Sequence, residues 1–196
     1  MPVGSDKLTI ALAGNPNAGK TSLFNALTGS RGHVGNYPGV TVELRFGRFS
    51  HAGRRIEVVD LPGTYSLTAY SAEEVIARNF ILDQRPDVVV DVLDASNLER
   101  HLYLASQLAQ IGVPLVLALN MSDVARGRGW KIDHRRLSEL FGVPIVPTVA
   151  TTGEGLDELV ESAVATAGEG RAAVERQSVP RFGREVEPEL DKLTGP

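Results

Sequence analysis

Cysteine is absent from all 196 residues, which removes disulfides, thiolate metal sites and cysteine nucleophiles at once. No apolar run approaches the ~20 residues that a membrane-spanning helix needs, and the first residues lack the charged and apolar blocks of a signal peptide. Basic residues form no runs, and acidic residues outnumber them 24 to 20, for a formal net charge of -4. That balance argues against nucleic acid as a partner. His33, His51, His101 and His134 are scattered without ligand spacing, so no histidine metal site is expected. The chain as given is expected to be soluble and cytosolic. What it does contain is 42% hydrophobic residues, distributed in short runs that alternate with helical patterns. Such alternation predicts one α/β domain with helices on both faces of a parallel sheet.

The strongest local signal is Gly14-Asn15-Pro16-Asn17-Ala18-Gly19-Lys20-Thr21, a full match to G-x-x-x-x-G-K-[ST]. An apolar strand, residues 8–13, precedes it, and Ser22 continues into a helical pattern with Leu23, Ala26 and Leu27 on one side and Gly29 as C-cap. Strand, glycine loop and helix form the context in which the motif makes an anion cradle of backbone N–H groups. Lys20 would reach the β- and γ-phosphates, and the Thr21 hydroxyl would take a place on Mg²⁺.

Further along, residues 30–39 read as a glycine-rich loop, and two strands, 40–50 and 54–60, flank a His51-Ala52-Gly53 hairpin turn. One strand is therefore expected to be antiparallel and at the edge. Ser71-Ala72-Glu73-Glu74 and Ser96-Asn97-Leu98-Glu99 read as capping boxes. Runs 88–93 and 115–119 read as buried strands, with Asp91 expected to pair with a neighbour. Residues 126–129 read as a loop, Asp133 as a helix start, and Leu156 to Val164 as the last core helix.

Three later elements narrow the chemistry. Asp60-Leu61-Pro62-Gly63 ends a strand as D-x-x-G, where Asp60 would hold the Mg²⁺ shell through water and the Gly63 N–H would meet the γ-phosphate. Asn120-Met121-Ser122-Asp123 fits N-x-x-D, and the Asp123 carboxylate is suited to the N1–H and amine of guanine but not to adenine. Met121 stands where this motif usually has lysine and keeps an unbranched stem to lie along the base. Val149-Ala150-Thr151 follows the last strand, with the Ala150 N–H available for the guanine oxygen. Between loop and D-x-x-G, Thr41 is the candidate to add a hydroxyl to Mg²⁺ when a γ-phosphate is present.

This order resembles a Ras-like G domain with a mostly parallel six-stranded sheet, one antiparallel edge strand and helices on both faces. Closer still, residues 33–43 and 60–67, Asp94-Ala95-Ser96-Asn97-Leu98-Glu99-Arg100 and Ala118-Leu119-Asn120-Met121-Ser122-Asp123 are similar to FeoB, the family of bacterial ferrous-iron transporters whose cytoplasmic N-terminus carries a GTPase domain. In that family methionine is usual at the position of Met121. The resemblance implies a G domain over residues 1–167, with 168–196 as a linker and the truncated start of a helical second domain. It implies GTP or GDP as ligand, Mg²⁺ on Thr21, Thr41 and Asp60, and a place at the cytoplasmic face of the inner membrane. Implied partners are the membrane part of the same transporter and further copies of the chain in a homo-oligomer.

The resemblance also shapes the expected mechanism. Thr64 stands where many Ras-like proteins carry a water-positioning glutamine, and no glutamine or histidine lies nearby in sequence, so unaided hydrolysis is expected to be slow. Catalysis would rest on Lys20, Asn17, Thr41 and Gly63. Related G domains with asparagine at the Asn17 position bind K⁺ there, so K⁺ activation is expected; the plainer role is to shape the loop. Arg31, Arg45 and Arg48 are weaker candidates for an arginine supplied in cis, and Glu158-Leu159-Val160-Glu161 reads as the polar face of a helix rather than an iron site. Two other functions stay open: a soluble GTPase of the tRNA-modification or ribosome-assembly kind, and a nucleotide-binding switch with negligible hydrolysis.

Overall fold

The computed structural model describes residues 7–36, 43–68 and 71–178. The parallel core begins with β1 (Lys7–Gly14), and α1 (Lys20–Thr28) follows across the glycine loop. Next come β2 (His33–Asn36), β3 (Glu43–His51) and β4 (Arg54–Asp60). The chain continues through α2 (Ala72–Asn79) with a π-helical turn (Phe80–Gln84), β5 (Val88–Asp94), α3 (Leu98–Ile111), β6 (Leu115–Asn120), α4 (Ser122–Gly127), α5 (His134–Phe141) and β7 (Ile145–Pro147). Two helices close it, α6 (Leu156–Glu169) and α7 (Arg171–Arg176).

Among the described residues, seven strands form one sheet in the order β2-β3-β4-β1-β5-β6-β7. The four pairings that join β4, β1, β5, β6 and β7 are all parallel. Side chains alternate across β1 and β5 with a period of two. Leu8, Ile10, Leu12, Val88, Val90 and Val92 join one apolar cluster with α1 and α6, while Ala11, Ala13, Val89 and Leu93 join the other with α2 and α3. Both faces being covered, these strands read as continuous apolar runs in the sequence. Burying Leu12, Leu23 or Phe24 contributes roughly 2–3 kcal/mol each.

The sheet departs from the expected six strands at its edge. His33–Asn36, read as loop, pairs antiparallel with β3 from His33↔Phe46 to Asn36↔Glu43. With one glycine and one valine among its four residues, this segment has no alternation of its own; the open edge of β3 supplies the hydrogen bonds that make it a strand. The strand running against the others, β3, is therefore second in the sheet rather than at its edge. The hairpin turn itself is as expected, with Ala52 at φ 48 and Gly53 at φ 78, the paired left-handed conformations of a two-residue I′ turn.

Three helix boundaries also differ from the sequence reading. Ser71 forms its capping box with Glu74, but Ser96 does not form one: Asp94 Oδ1 instead accepts from Ser96 N at 2.7 Å, and Ala95–Asn97 is already a 3-10 turn. An aspartate one residue upstream of the turn takes the cap. The loop assigned to residues 126–129 is partly helix, since α4 runs to Gly127. Helix α6 continues to Glu169, two residues past the expected boundary at 167. Residues 168–178 lie against the core, where Gln177 Nε2 donates to Val113 O at 2.6 Å and Ser178 N to Phe141 O at 2.9 Å. The expected start of a second helical domain lies outside the described residues.

Asp91 does not pair with a neighbour. It is fully buried in β5 and neither carboxylate oxygen has a hydrogen-bond partner among the described residues. Desolvation pushes its pKa up to about 8. An unfolded aspartate titrates near ~3.9, so folding takes up a proton between those two values and stability falls as pH rises through that window. The wild type is expected to lose about 1 kcal/mol per pH unit relative to Asp91→Asn between pH 5 and 7.5. Urea unfolding at several pH values measures this; parallel profiles would show that the carboxyl finds a partner in solution.

Candidate nucleotide site

The phosphate-loop, D-x-x-G and N-x-x-D motifs arrive at the same edge of the sheet, the carboxyl ends of the parallel strands. Leu12 pairs with Asp60, Gly14 with Val92 and Asp94 with Asn120, so the ends of β1, β4, β5 and β6 stand side by side. Beyond β1 the loop closes through Ala18 N donating to Asn15 O at 3.2 Å, and α1 starts with Leu23 N donating to Gly19 O at 2.9 Å. Gly19 has φ 86, and a Cβ there would collide with Asn120 Nδ2, so only glycine fits. Asn17 is exposed with φ 67, a left-handed conformation that asparagine tolerates better than most residues.

Lys20 is nearly buried, and its Nζ donates to Asp60 Oδ1 at 2.8 Å and to Leu61 O at 2.6 Å. Thr21 Oγ1 stands 3.5 Å from Asp60 Oδ2. The loop cation, the loop hydroxyl and the D-x-x-G carboxylate thus meet although 40 residues separate Lys20 from Asp60. Gly63 lies close against Pro16, where a Cβ would come 3.2 Å from Pro16 Cα. A cavity of about 520 Å³ is lined by residues 15–17 and 19–22 with Gly63 and Met121. A larger one, about 940 Å³, lies at the opposite end of α1 and contains none of these groups. The convergence of cradle, cation and carboxylate, not volume, identifies the site.

The N-x-x-D segment continues it. The buried Asn120 side chain donates through Nδ2 to Ala18 O at 3.0 Å, and its Oδ1 accepts from Ala150 N at 3.1 Å. One carboxamide therefore joins the phosphate loop, the end of β6 and the segment after β7. The Ala150 N–H expected to face a base is given to Asn120 in this structure. Met121 has φ 57 and stands beside Gly19, and Asp123 is exposed in the first turn of α4. Val149 N donates to Glu154 O at 2.9 Å, and Thr151 is exposed at the tip of that turn.

Two features escaped the sequence reading. Arg126 holds Glu154 through two hydrogen bonds of 2.7 and 2.9 Å, which clasps α4 to the turn that carries Ala150, and it pulls the Glu154 carboxyl below its ordinary range. Gln107, on α3, reaches the segment after Gly63, bonding Leu67 N and Ser66 Oγ. A glutamine does lie near Thr64, supplied from 43 residues further along the chain. Of the three arginines considered, Arg45 bonds Asn25 and lies over Phe24, and Arg48 pairs with Glu57. Thr41 lies outside the described residues.

A phosphate loop at the end of a central parallel strand, D-x-x-G on the adjacent strand and N-x-x-D two strands away define a Ras-like G domain. The family model described as ferrous iron transport protein B matches residues 8–163, and the chain belongs to that family, FeoB. The Fe(2+) transporter FeoB of Escherichia coli is 51% identical over 157 residues, which is 78% of this chain and 20% of that protein. The cytosolic domain of the T. maritima FeoB iron transporter, solved in GDP and GMPPNP forms, superposes with a TM-score of 0.83. In its GDP form it is 42% identical, over 95% of this chain and 72% of that one. The FeoB G-domain from Methanococcus jannaschii gives a TM-score of 0.74 at 43% identity, over 83% of this chain and 98% of that one. The chain spans about a fifth of the curated relatives it matches. Among the described residues no helix is long and apolar enough to cross a membrane.

Removing the Asn120 carboxamide leaves a buried carbonyl at Ala18 and a buried N–H at Ala150 without partners. Asn120→Ala is therefore expected to cost about 2–3 kcal/mol of stability with no nucleotide present, read by urea unfolding. A change below ~0.5 kcal/mol would mean that the joint does not hold the site together.

Proposed function

We propose that this chain binds GTP and GDP and hydrolyses GTP slowly, as the regulatory domain of a bacterial ferrous-iron transporter at the cytoplasmic face of the inner membrane. The observation that carries this reading is the meeting of Lys20, Thr21 and Asp60 beside a glycine cradle, with Asp123 exposed just beyond Asn120 and Met121. Residues 15–22 would bind the phosphates through backbone N–H groups, with Lys20 exchanging its contacts to Asp60 and Leu61 for phosphate oxygens. Asp123 would select guanine, as a carboxylate accepts from its N1–H and amine and repels the acceptor edge of adenine. Asn120, Met121 and residues 149–151 would complete the base pocket.

The donor set suits a hard divalent cation: Thr21 Oγ1 and the Asp60 carboxylate are oxygen ligands already within 3.5 Å of each other. Mg²⁺ held by Thr21, by Asp60 through water and by Thr41 would neutralise charge on the β- and γ-phosphates. Slow hydrolysis follows from Thr64, whose side chain is turned inward: it is only 3% exposed and its Oγ1 donates to Ser66 O at 2.6 Å. That hydroxyl is not offered to an attacking water, which also favours, as the second reading, a switch that binds nucleotide with negligible turnover.

For K⁺, the relevant group is the Asn17 carboxamide, exposed at the rim of the cradle. Its left-handed backbone supplies a competing reason for asparagine there, so the informative variant is Asn17→Gly, which keeps the backbone geometry and deletes the carboxamide. GTP turnover is expected to be at least about tenfold faster in K⁺ than in Na⁺, the difference disappearing in Asn17→Gly and all turnover in Lys20→Ala. Phosphate-release assays measure this. Equal rates in the two salts would remove K⁺ from the mechanism, turnover absent in both would establish the binding-switch reading, and preference for ATP would overturn the function.

A further inference from the structure

The segment after Gly63 is fastened to α3 at two places seven residues apart, about two turns or ~10.5 Å along one face of the helix. Near the start of α3, the Arg100 guanidinium lies over the Tyr65 ring, 4.1 Å from its centroid. Two turns on, Gln107 Oε1 accepts from Leu67 N at 2.8 Å, and its Nε2 reaches Ser66 Oγ at 3.4 Å. Between them Leu67 is buried in the same apolar cluster as Leu104 and Leu108 of α3. The phosphate loop touches the same helix, for Asn15 Nδ2 donates to Arg100 O at 3.3 Å. On its upstream side the segment is tied to β1 and the loop, by Leu61 N donating to Leu12 O at 3.0 Å and Thr64 N to Gly14 O at 3.2 Å.

We propose that Gln107 is a positioning residue for GTP hydrolysis, acting through the backbone of residues 63–67, with Arg100 as the second fastening. This rests on the hydrolysis reading above. With the Thr64 hydroxyl committed to Ser66 O, the γ-phosphate and the attacking water are met by backbone groups, among them that of Gly63, which lies against Pro16 of the phosphate loop. Backbone groups have no rotamers with which to correct a misplacement, so their aim depends on what holds both ends of the segment. β1 and the phosphate loop hold one end. Gln107 holds the other, through the only side-chain hydrogen bond among the described residues to the Leu67 N–H. Ground-state binding of GDP does not need that end fixed, because the diphosphate is gripped by residues 15–22; an ordered γ-phosphate and water do.

The test compares Gln107→Leu, close in size but without hydrogen bonds, with Gln107→Glu, whose carboxylate still accepts from Leu67 N, in the full 196-residue chain. Turnover of GTP, KM and affinity for a fluorescent GDP analogue are measured on each, with amide exchange at Leu67. Gln107→Leu is expected to lower kcat about tenfold, the worth of one good hydrogen bond. GDP affinity should change less than twofold, Leu67 exchange should accelerate, and Gln107→Glu should restore most of kcat. A kcat unchanged in Gln107→Leu, a loss of GDP affinity in step with kcat, or a Gln107→Glu as impaired as Gln107→Leu would each overturn the proposal. Wild-type chain without GTP turnover would overturn the hydrolysis reading itself, and this role with it, whereas normal wild-type turnover with an unimpaired variant overturns only the role of Gln107.

Discussion

A single buried carboxamide holds the site in register. Asn120 joins Ala18, in the phosphate loop, to Ala150, beyond β7, and its amide nitrogen fills the space that keeps residue 19 a glycine. These segments are 102 and 30 residues from Asn120 in sequence, so no local propensity brings them together. The parallel sheet does so by ending β1, β5 and β6 at one edge, with each register fixed by apolar side chains alternating into two separate cores. A slip of one residue in any of those strands would turn Leu12, Val90 or Leu117 to the opposite face. The polar joint is thus the consequence of apolar packing, and its geometry is as rigid as that packing.

Lys20 extends the same logic. Its ammonium is nearly buried, held by a carboxylate and a carbonyl from the end of β4, so it is satisfied before any phosphate arrives. An unpaired buried cation would cost several kcal/mol. The D-x-x-G element holds the desolvated loop lysine in place, and under the proposed function it would next stand beside the metal shell and γ-phosphate. Exchange between those partners is a route by which nucleotide could be felt along residues 60–67, and from there on α3.

How much of this could be read from the sequence follows from where each interaction lives. The phosphate loop, the N-x-x-D segment, the β3–β4 turn and the strands β1, β5 and β6 are written in short contiguous stretches, because covering both sheet faces makes a run uniformly apolar and a glycine loop must be glycine where it is tight. Strand β2 could not be seen, since its hydrogen bonds are made by β3 and its own residues carry no alternation. The start of α3 is hard to read because Asp94 and Ser96 are both good capping residues; Asp94 caps the 3-10 turn Ala95–Asn97, and α3 itself begins at Leu98 without a side-chain cap. The Arg126–Glu154 clasp and the Gln107 contacts are long-range and polar, on residues whose types would be unremarked on any surface helix. Asp91 is the opposite case: the sequence shows a carboxylate inside an apolar run plainly, but the usual inference that it must be paired fails.

The contrast between Asp91 and Gln107 bears on what α3 is for. Both lie toward the α3 side of the sheet, yet one is a buried polar group with no partner among the described residues and the other spends its whole amide on a neighbouring loop. An unpartnered carboxyl in the layer beneath a helix raises the cost of packing that layer tightly. The helix is nevertheless seated by the full burial of Leu104, Ala105 and Leu108, and contacts at its two ends add to that: Asn15, Tyr65 and Leu67 on one side, and Val113 with Gln177 beyond its last turn on the other. A core-seated α3 thus gives residues 63–67 a fixed anchor near one end and meets the residue after α7 at the other.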